Sequence, residues 1–124
     1  MPAFTYAYGR YPGARWRTVR LTCVGSDPAQ PVSSLQFSPE MGGNLFGLEV
    51  EGIEYLVAGP PVQGQPRLLG TPILYPSPNR VRNARFTFDG HTFEFEPNEG
   101  TNFLHGLVLR APWECAEPVS DAQG

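Results

Sequence analysis

Polar and apolar positions along this chain alternate with a period of two in a series of short runs, the pattern of strands that bury one face. The stretch from Arg17 to Val24 sets Val19, Leu21 and Cys23 against Thr18, Arg20 and Thr22, and the Gly25-Ser26-Asp27-Pro28 turn signal closes it. Ser33 to Phe37 reads as a weaker strand ended by Ser38-Pro39. From Leu45 to Val57 the pattern predicts two strands around Glu51-Gly52. A two-residue loop there puts Phe46, Leu48 and Val50 on one face with Ile53, Tyr55 and Val57, and sets Glu49 opposite Glu54, an unfavourable like-charge pair.

The strongest local signal is Arg85-Phe-Thr-Phe-Asp-Gly-His-Thr-Phe-Glu-Phe95. Asp89-Gly90 supplies the positive φ angles of a type I′ turn between two alternating runs. Pairing Phe88 with His91 then sets Phe86 across from Phe93, Thr87 across from Thr92, and Arg85 across from Glu94. Turn chemistry, apolar pattern and charge agree on that register. Ile73 to Tyr75 reads as a short apolar strand and Gly106 to Arg110 as a further one. Residues 1–16, rich in Tyr, Gly and Arg, and residues 114–124, without periodicity, are expected to be irregular.

Composition turns these strands into a fold class. About a quarter of the 124 residues are Leu, Ile, Val or Phe, enough for a core, while 14 Gly and 14 Pro rule out a helical bundle. The expectation is an all-β protein, one domain or part of one. A net charge of −3 argues against nucleic acid or an anionic membrane surface as the main partner. The sequence contains no apolar run of membrane-helix length and no signal-peptide pattern, which predicts a soluble, cytoplasmic protein. Cys23 and Cys115 lack the paired spacing of a zinc site and are expected as separate thiols in a reducing compartment, with no metal or cofactor.

Two places can carry chemistry. Pro76 and Pro78 stiffen the loop after Ile73–Tyr75, so Asn79 and Arg80 emerge from a pre-ordered segment. An amide and a guanidinium fork presented together suit neighbouring sugar hydroxyls. His105 lies between an apolar run and Gly106, and a neutral imidazole offers a donor and an acceptor to a hydroxyl. Taken locally, the plainer readings are favoured: a solvated arginine and a hydrogen-bonded structural histidine. His91 is given no role. Among the acids, Glu94 has Arg85 as partner, and Glu49, Glu51, Glu54, Glu96 and Glu99 read as solvated strand edges, with nothing selecting one as a base.

Taken together, Gly70-Thr-Pro-Ile-Leu-Tyr-Pro-Ser-Pro-Asn-Arg80, the hairpin at Asp89-Gly90, the Asn-rich approach, Leu104-His105-Gly106 and Trp113 resemble the aldose 1-epimerase (galactose mutarotase) family. Residues 70–113 carry the strong likeness; 41–57 look like the family's preceding hairpin, and 1–40 fit loosely. The resemblance implies an antiparallel β-sandwich, of which this chain is the N-terminal part, that binds a free hexose such as galactose or glucose in an open cleft. It makes Asn79 and Arg80 substrate-binding residues and His105 a supporting active-site histidine near the ring oxygen. In the family's reaction a Glu takes the C1 hydroxyl proton, a second His protonates the ring oxygen, the ring opens, the C1 carbonyl rotates, and the ring closes on its other face. Both groups are expected beyond Trp113 in longer members. This chain is therefore expected to carry a substrate-binding half-site and to be inactive alone; in the event of activity, Glu96, Glu99 and Glu114 are the replacement bases to examine.

Three alternatives remain at this stage. One is a non-catalytic carbohydrate-binding β-domain that keeps the Asn79, Arg80 and His105 contacts. A hexose 6-phosphate epimerase is less favoured, because relatives of that kind usually have Phe-Gly where this chain has Asn79-Arg80, although Arg82 and Arg85 could serve a phosphate. A glycoside hydrolase needs two carboxylates flanking a cleft, and Glu94 is already paired.

Overall fold

The computed structural model describes residues 3–25, 27, 31–57 and 70–120. They are built of strands and turns, and they group into two compact units, residues 1–72 with 112–124 and residues 73–111. Among the described residues no helix is long and apolar enough to cross a membrane.

The first unit is an antiparallel meander of five strands in sequence order: β1 (Ala3–Arg10), β2 (Arg17–Val24), β3 (Pro31–Ser38), β4 (Asn44–Val50) and β5 (Ile53–Glu54). The expectation that residues 1–16 are irregular is corrected by β1, in which Phe4, Tyr6 and Tyr8 alternate with smaller residues and pair with Cys23, Leu21 and Val19. A tyrosine every second position fits the pleat of a strand. Tyr6, Leu21, Leu35 and Leu48 stand in one cross-strand row. A cavity of about 360 Å³ lies over that face, walled by Phe4, Tyr6, Leu21, Leu35, Leu48 and Val119. The Tyr6 hydroxyl donates to Glu117, and that hydrogen bond, which holds the phenol in its protonated form, pushes the pKa up, with the negative charge of the carboxylate adding to it.

Alternation along β2 is imperfect for a physical reason. Thr18, on the polar side of the pattern, is fully buried, as is Val19. Gln36 Nε2 donates to the Thr18 hydroxyl at 3.3 Å, which satisfies the buried oxygen. The Ser38 hydroxyl donates to the Arg17 carbonyl at 2.8 Å, and Arg17 N–H donates to Glu40 at the same distance, tying the 3-10 turn Pro39–Met41 to the start of β2.

The Glu51-Gly52 hairpin has the expected two-residue loop, with φ of 49° and 78°, Val50 opposite Ile53 and Glu49 opposite Glu54. Its expected apolar stripe is corrected in two ways. A bulge between Gln36 and Phe37 sets Leu45, not Phe46, opposite Phe37, and Phe46 packs edge-on against Tyr11 at 4.8 Å in the core. The returning strand is two residues long, and Ile53, Tyr55 and Val57 are exposed. Glu54 turns back to accept N–H bonds from Leu48 and Leu56 at 2.8 and 2.9 Å.

The second unit holds β6 (Arg80–Val81) paired with β9 (Phe103–Leu104), and β7 (Arg85–Phe88) paired with β8 (His91–Glu94). The β7–β8 register is the expected one throughout: Phe86 stacks on Phe93 at 5.1 Å, the Thr87 and Thr92 hydroxyls are 3.1 Å apart, and Arg85 meets Glu94 at 4.0 Å. Asp89 and Gly90 have φ of 47° and 74°. Phe95 extends the ladder, stacking on Phe86 at 6.0 Å and on the buried Phe103 at 4.5 Å.

Two expected strands are absent from this unit. Ile73 to Tyr75 has isolated pairing only at Tyr75, and Gly106 to Arg110 bends and turns after a single bridge to Tyr75. The strand lies one step earlier, at Phe103–Leu104, because His105 and Gly106 adopt successive left-handed conformations, φ 67° and 75°, which take the chain out of the ladder. Residues 114–120 carry no regular element, and Cys23 and Cys115 are free thiols.

Candidate active site

The second unit contains Asn79, Arg80 and His105, the residues singled out for sugar binding. Arg80 opens β6 and has Leu104 as its cross-strand partner, so His105 follows directly on the residue facing Arg80. The exposed Asn79 caps this start: its Oδ1 accepts the Arg80 N–H at 2.8 Å. With the acceptor end turned to the backbone, the carboxamide NH₂ is the end left for a ligand.

The turn at His105 is fixed by a close backbone approach. Gly106 pairs with Tyr75, Leu107 N–H donates to the Tyr75 carbonyl at 2.7 Å, and a Cβ at position 106 would lie 2.2 Å from that same oxygen. Only glycine fits there. His105 Nδ1 is 3.1 Å from the Pro78 carbonyl oxygen. A carbonyl can only accept, so Nδ1 carries the proton and donates, and in the neutral tautomer this leaves the lone pair on Nε2. The half-buried His105, with Asn98, Leu104, Leu107 and Arg110, borders an open depression of about 500 Å³. Asn79 and Arg80 are not among its walls; their link to His105 is through the strand pair and the Pro78 carbonyl.

Sequence reasoning missed the segment that assembles this arrangement. Asn98 clamps the backbone of Leu104 from both sides, accepting its N–H at 2.7 Å and donating to its carbonyl at 3.0 Å. Asn102 accepts the Asn83 N–H at 3.2 Å, and Glu99 and Asn102 exchange backbone bonds around Gly100. Glu99, expected as a solvated edge, instead grips Arg80 with both carboxylate oxygens, one on Nε at 2.5 Å and one on Nη2. The Arg80 guanidinium holds the Glu99 carboxyl below the usual carboxylate range, aided by Asn102 and by His105, and the Arg80 pKa is raised in return. Asn98-Glu-Gly-Thr-Asn102, two side-chain caps flanking a glycine, is a turn signal that could have been read from sequence. Which partners those caps and the acid would find depended on the β6–β9 pairing.

Among the described residues there is no group of three or more His, Cys, Asp or Glu able to hold a metal. The other histidine, His91, sits opposite Phe88 beside the hairpin turn.

Comparison with known proteins assigns the sequence to a family. The aldose 1-epimerase family model matches residues 34–123, nearly three quarters of the chain. The chain belongs to the aldose 1-epimerase family. Its similarity to individual relatives is local: 28 residues are 54% identical to the aldose 1-epimerase of Escherichia coli (strain K12) and, equally, to that of Shigella flexneri. That stretch is 23% of this chain and 8% of each relative. For this aldose 1-epimerase family chain the matched region takes in the whole of the second unit, and with it Asn79, Arg80, Glu99 and His105.

Proposed function

We propose that residues 73–111 form the substrate-binding half of an aldose 1-epimerase site for a free hexose, with the general acid and base supplied from outside residues 1–124. The observation that carries this reading is the joining of Arg80, Glu99 and His105 around the β6–β9 pair, with the His105 imidazole fixed at Nδ1 by Pro78. Asn79 NH₂ and the free guanidinium donors suit sugar hydroxyl oxygens, and His105 Nε2 suits a hydroxyl proton or, once protonated, the ring oxygen. Anomer exchange also needs a base at the C1 hydroxyl and an acid at the ring oxygen, each typically worth ~10²–10⁴-fold. Glu99 is committed to Arg80, and His91 lies in the hairpin, so neither role is filled within this arrangement.

The test is polarimetry. The 124-residue chain is expected to leave α-to-β interconversion of glucose and galactose at the buffer rate. A chain extended to the length of its relatives is expected to be active and to lose activity with Arg80→Ala or His105→Asn, the first mainly by raising KM or lowering kcat and kcat/KM together. Fast, saturable mutarotation by the short chain, or full activity of both extended variants, contradicts the reading.

A further inference from the structure

Glu99 engages two of the five N–H groups of Arg80, one at Nε and one at Nη2, and leaves both Nη1 protons and one at Nη2. The pair is solvent-exposed, 54% at the Arg80 side chain and 37% at Glu99, and exposed ion pairs add little to stability. A planar two-point contact does restrict a side chain that otherwise samples many rotamers. The backbone that carries the carboxylate is held by the Glu99–Asn102 exchange around Gly100, and the next residue back, Asn98, clamps Leu104, the residue paired with Arg80. One short turn thus fixes the backbone opposite the arginine and the guanidinium itself.

Resting on the hexose-site reading above, we propose that Glu99 is a positioning residue that holds the Arg80 guanidinium with its Nη1 edge free for a sugar hydroxyl. Glu99 touches Arg80 and leaves the sugar to it. Its effect on binding is the ordering of Arg80 before the ligand arrives, which removes a loss of side-chain freedom otherwise incurred on binding.

The test is an NMR titration of the 124-residue chain with D-galactose and D-glucose, following the arginine Nε–H signals and backbone amides, for the native chain and for Glu99→Gln, Glu99→Ala, Glu99→Asp and Arg80→Ala. Dispersed amide spectra show that each variant is folded. Before sugar is added, Glu99→Gln and Glu99→Ala are expected to shift the Arg80 Nε–H signal and give it the relaxation of a mobile side chain. They are then expected to weaken sugar binding by about five- to tenfold, the effect of one newly mobile side chain. Glu99→Asp recovers part of both effects, and adding Glu99→Gln to Arg80→Ala changes nothing further. Native binding with unchanged affinity in Glu99→Gln overturns the positioning role and leaves the sugar site standing. Tighter binding in Glu99→Gln also overturns it, by showing that Glu99 competes with the sugar for Arg80. Absence of sugar shifts in the native chain overturns both readings.

Discussion

At the residue scale, Gly106 and Gly90 separate two uses of glycine that a sequence writes identically. Both have φ near 75°, but a Cβ at Gly90 meets nothing within 4 Å, whereas at Gly106 it would strike the Tyr75 carbonyl at 2.2 Å. Alanine at Gly90 is expected to lower stability by about 1–2 kcal/mol, the usual cost of the left-handed region. Gly106→Ala adds a backbone collision and is expected to cost about 2–4 kcal/mol. Urea melts of the two variants check this; equal losses would remove the close approach. The candidate residues were visible as residue types, Asn79 and Arg80 after a proline-stiffened loop and His105 between an apolar run and Gly106. The partners that give them chemical direction, the Pro78 carbonyl and Glu99, stand 27 and 19 residues away in sequence, and no local pattern names them.

At the scale of elements, the β7–β8 hairpin was fully legible because its information is local: Asp89-Gly90 sets the turn, and the Phe, Thr and Arg–Glu pairs set the register. Asp89 needs φ near 47°, and proline fixes φ near −65°, so Asp89→Pro is expected to cost about 3 kcal/mol or more. Unchanged thermal stability of that variant would contradict the turn assignment. The β4–β5 loop was legible too, but its like-charge pair gains an unforeseen compensation from backbone. Two N–H bonds, from Leu48 and Leu56, hold the Glu54 carboxyl below its ordinary value of 4.5. A folded pKa below the unfolded one stabilises fully above the unfolded value, and the contribution fades as pH falls through the folded value. Glu54→Gln is therefore expected to lower the urea midpoint at neutral pH, with the gap to the native chain narrowing steadily below pH 4.5. A gap independent of pH would contradict the cause given. The strand expected at Gly106–Arg110 failed because apolar spacing cannot register two successive left-handed residues, and β1 was missed because its alternation is carried by tyrosines beside glycine and arginine.

At the scale of the whole molecule, strand spacing and abundant turn residues established the all-β class, and the combined motif of residues 70–113 pointed to the family that the match over residues 34–123 shows. The proposed sugar half-site rests on how the second unit is tied together, with the Asn98–Asn102 turn holding β9, Arg80 and the approach to His105 at once. The most direct test of that claim is the backbone and arginine side-chain NMR titration of the native chain with D-galactose. The account predicts saturable shifts centred on Asn79, Arg80, Glu99 and His105, with the Phe4, Tyr6, Leu21 and Leu35 face unmoved. Shifts centred on that apolar sheet face, or none at all, would contradict it.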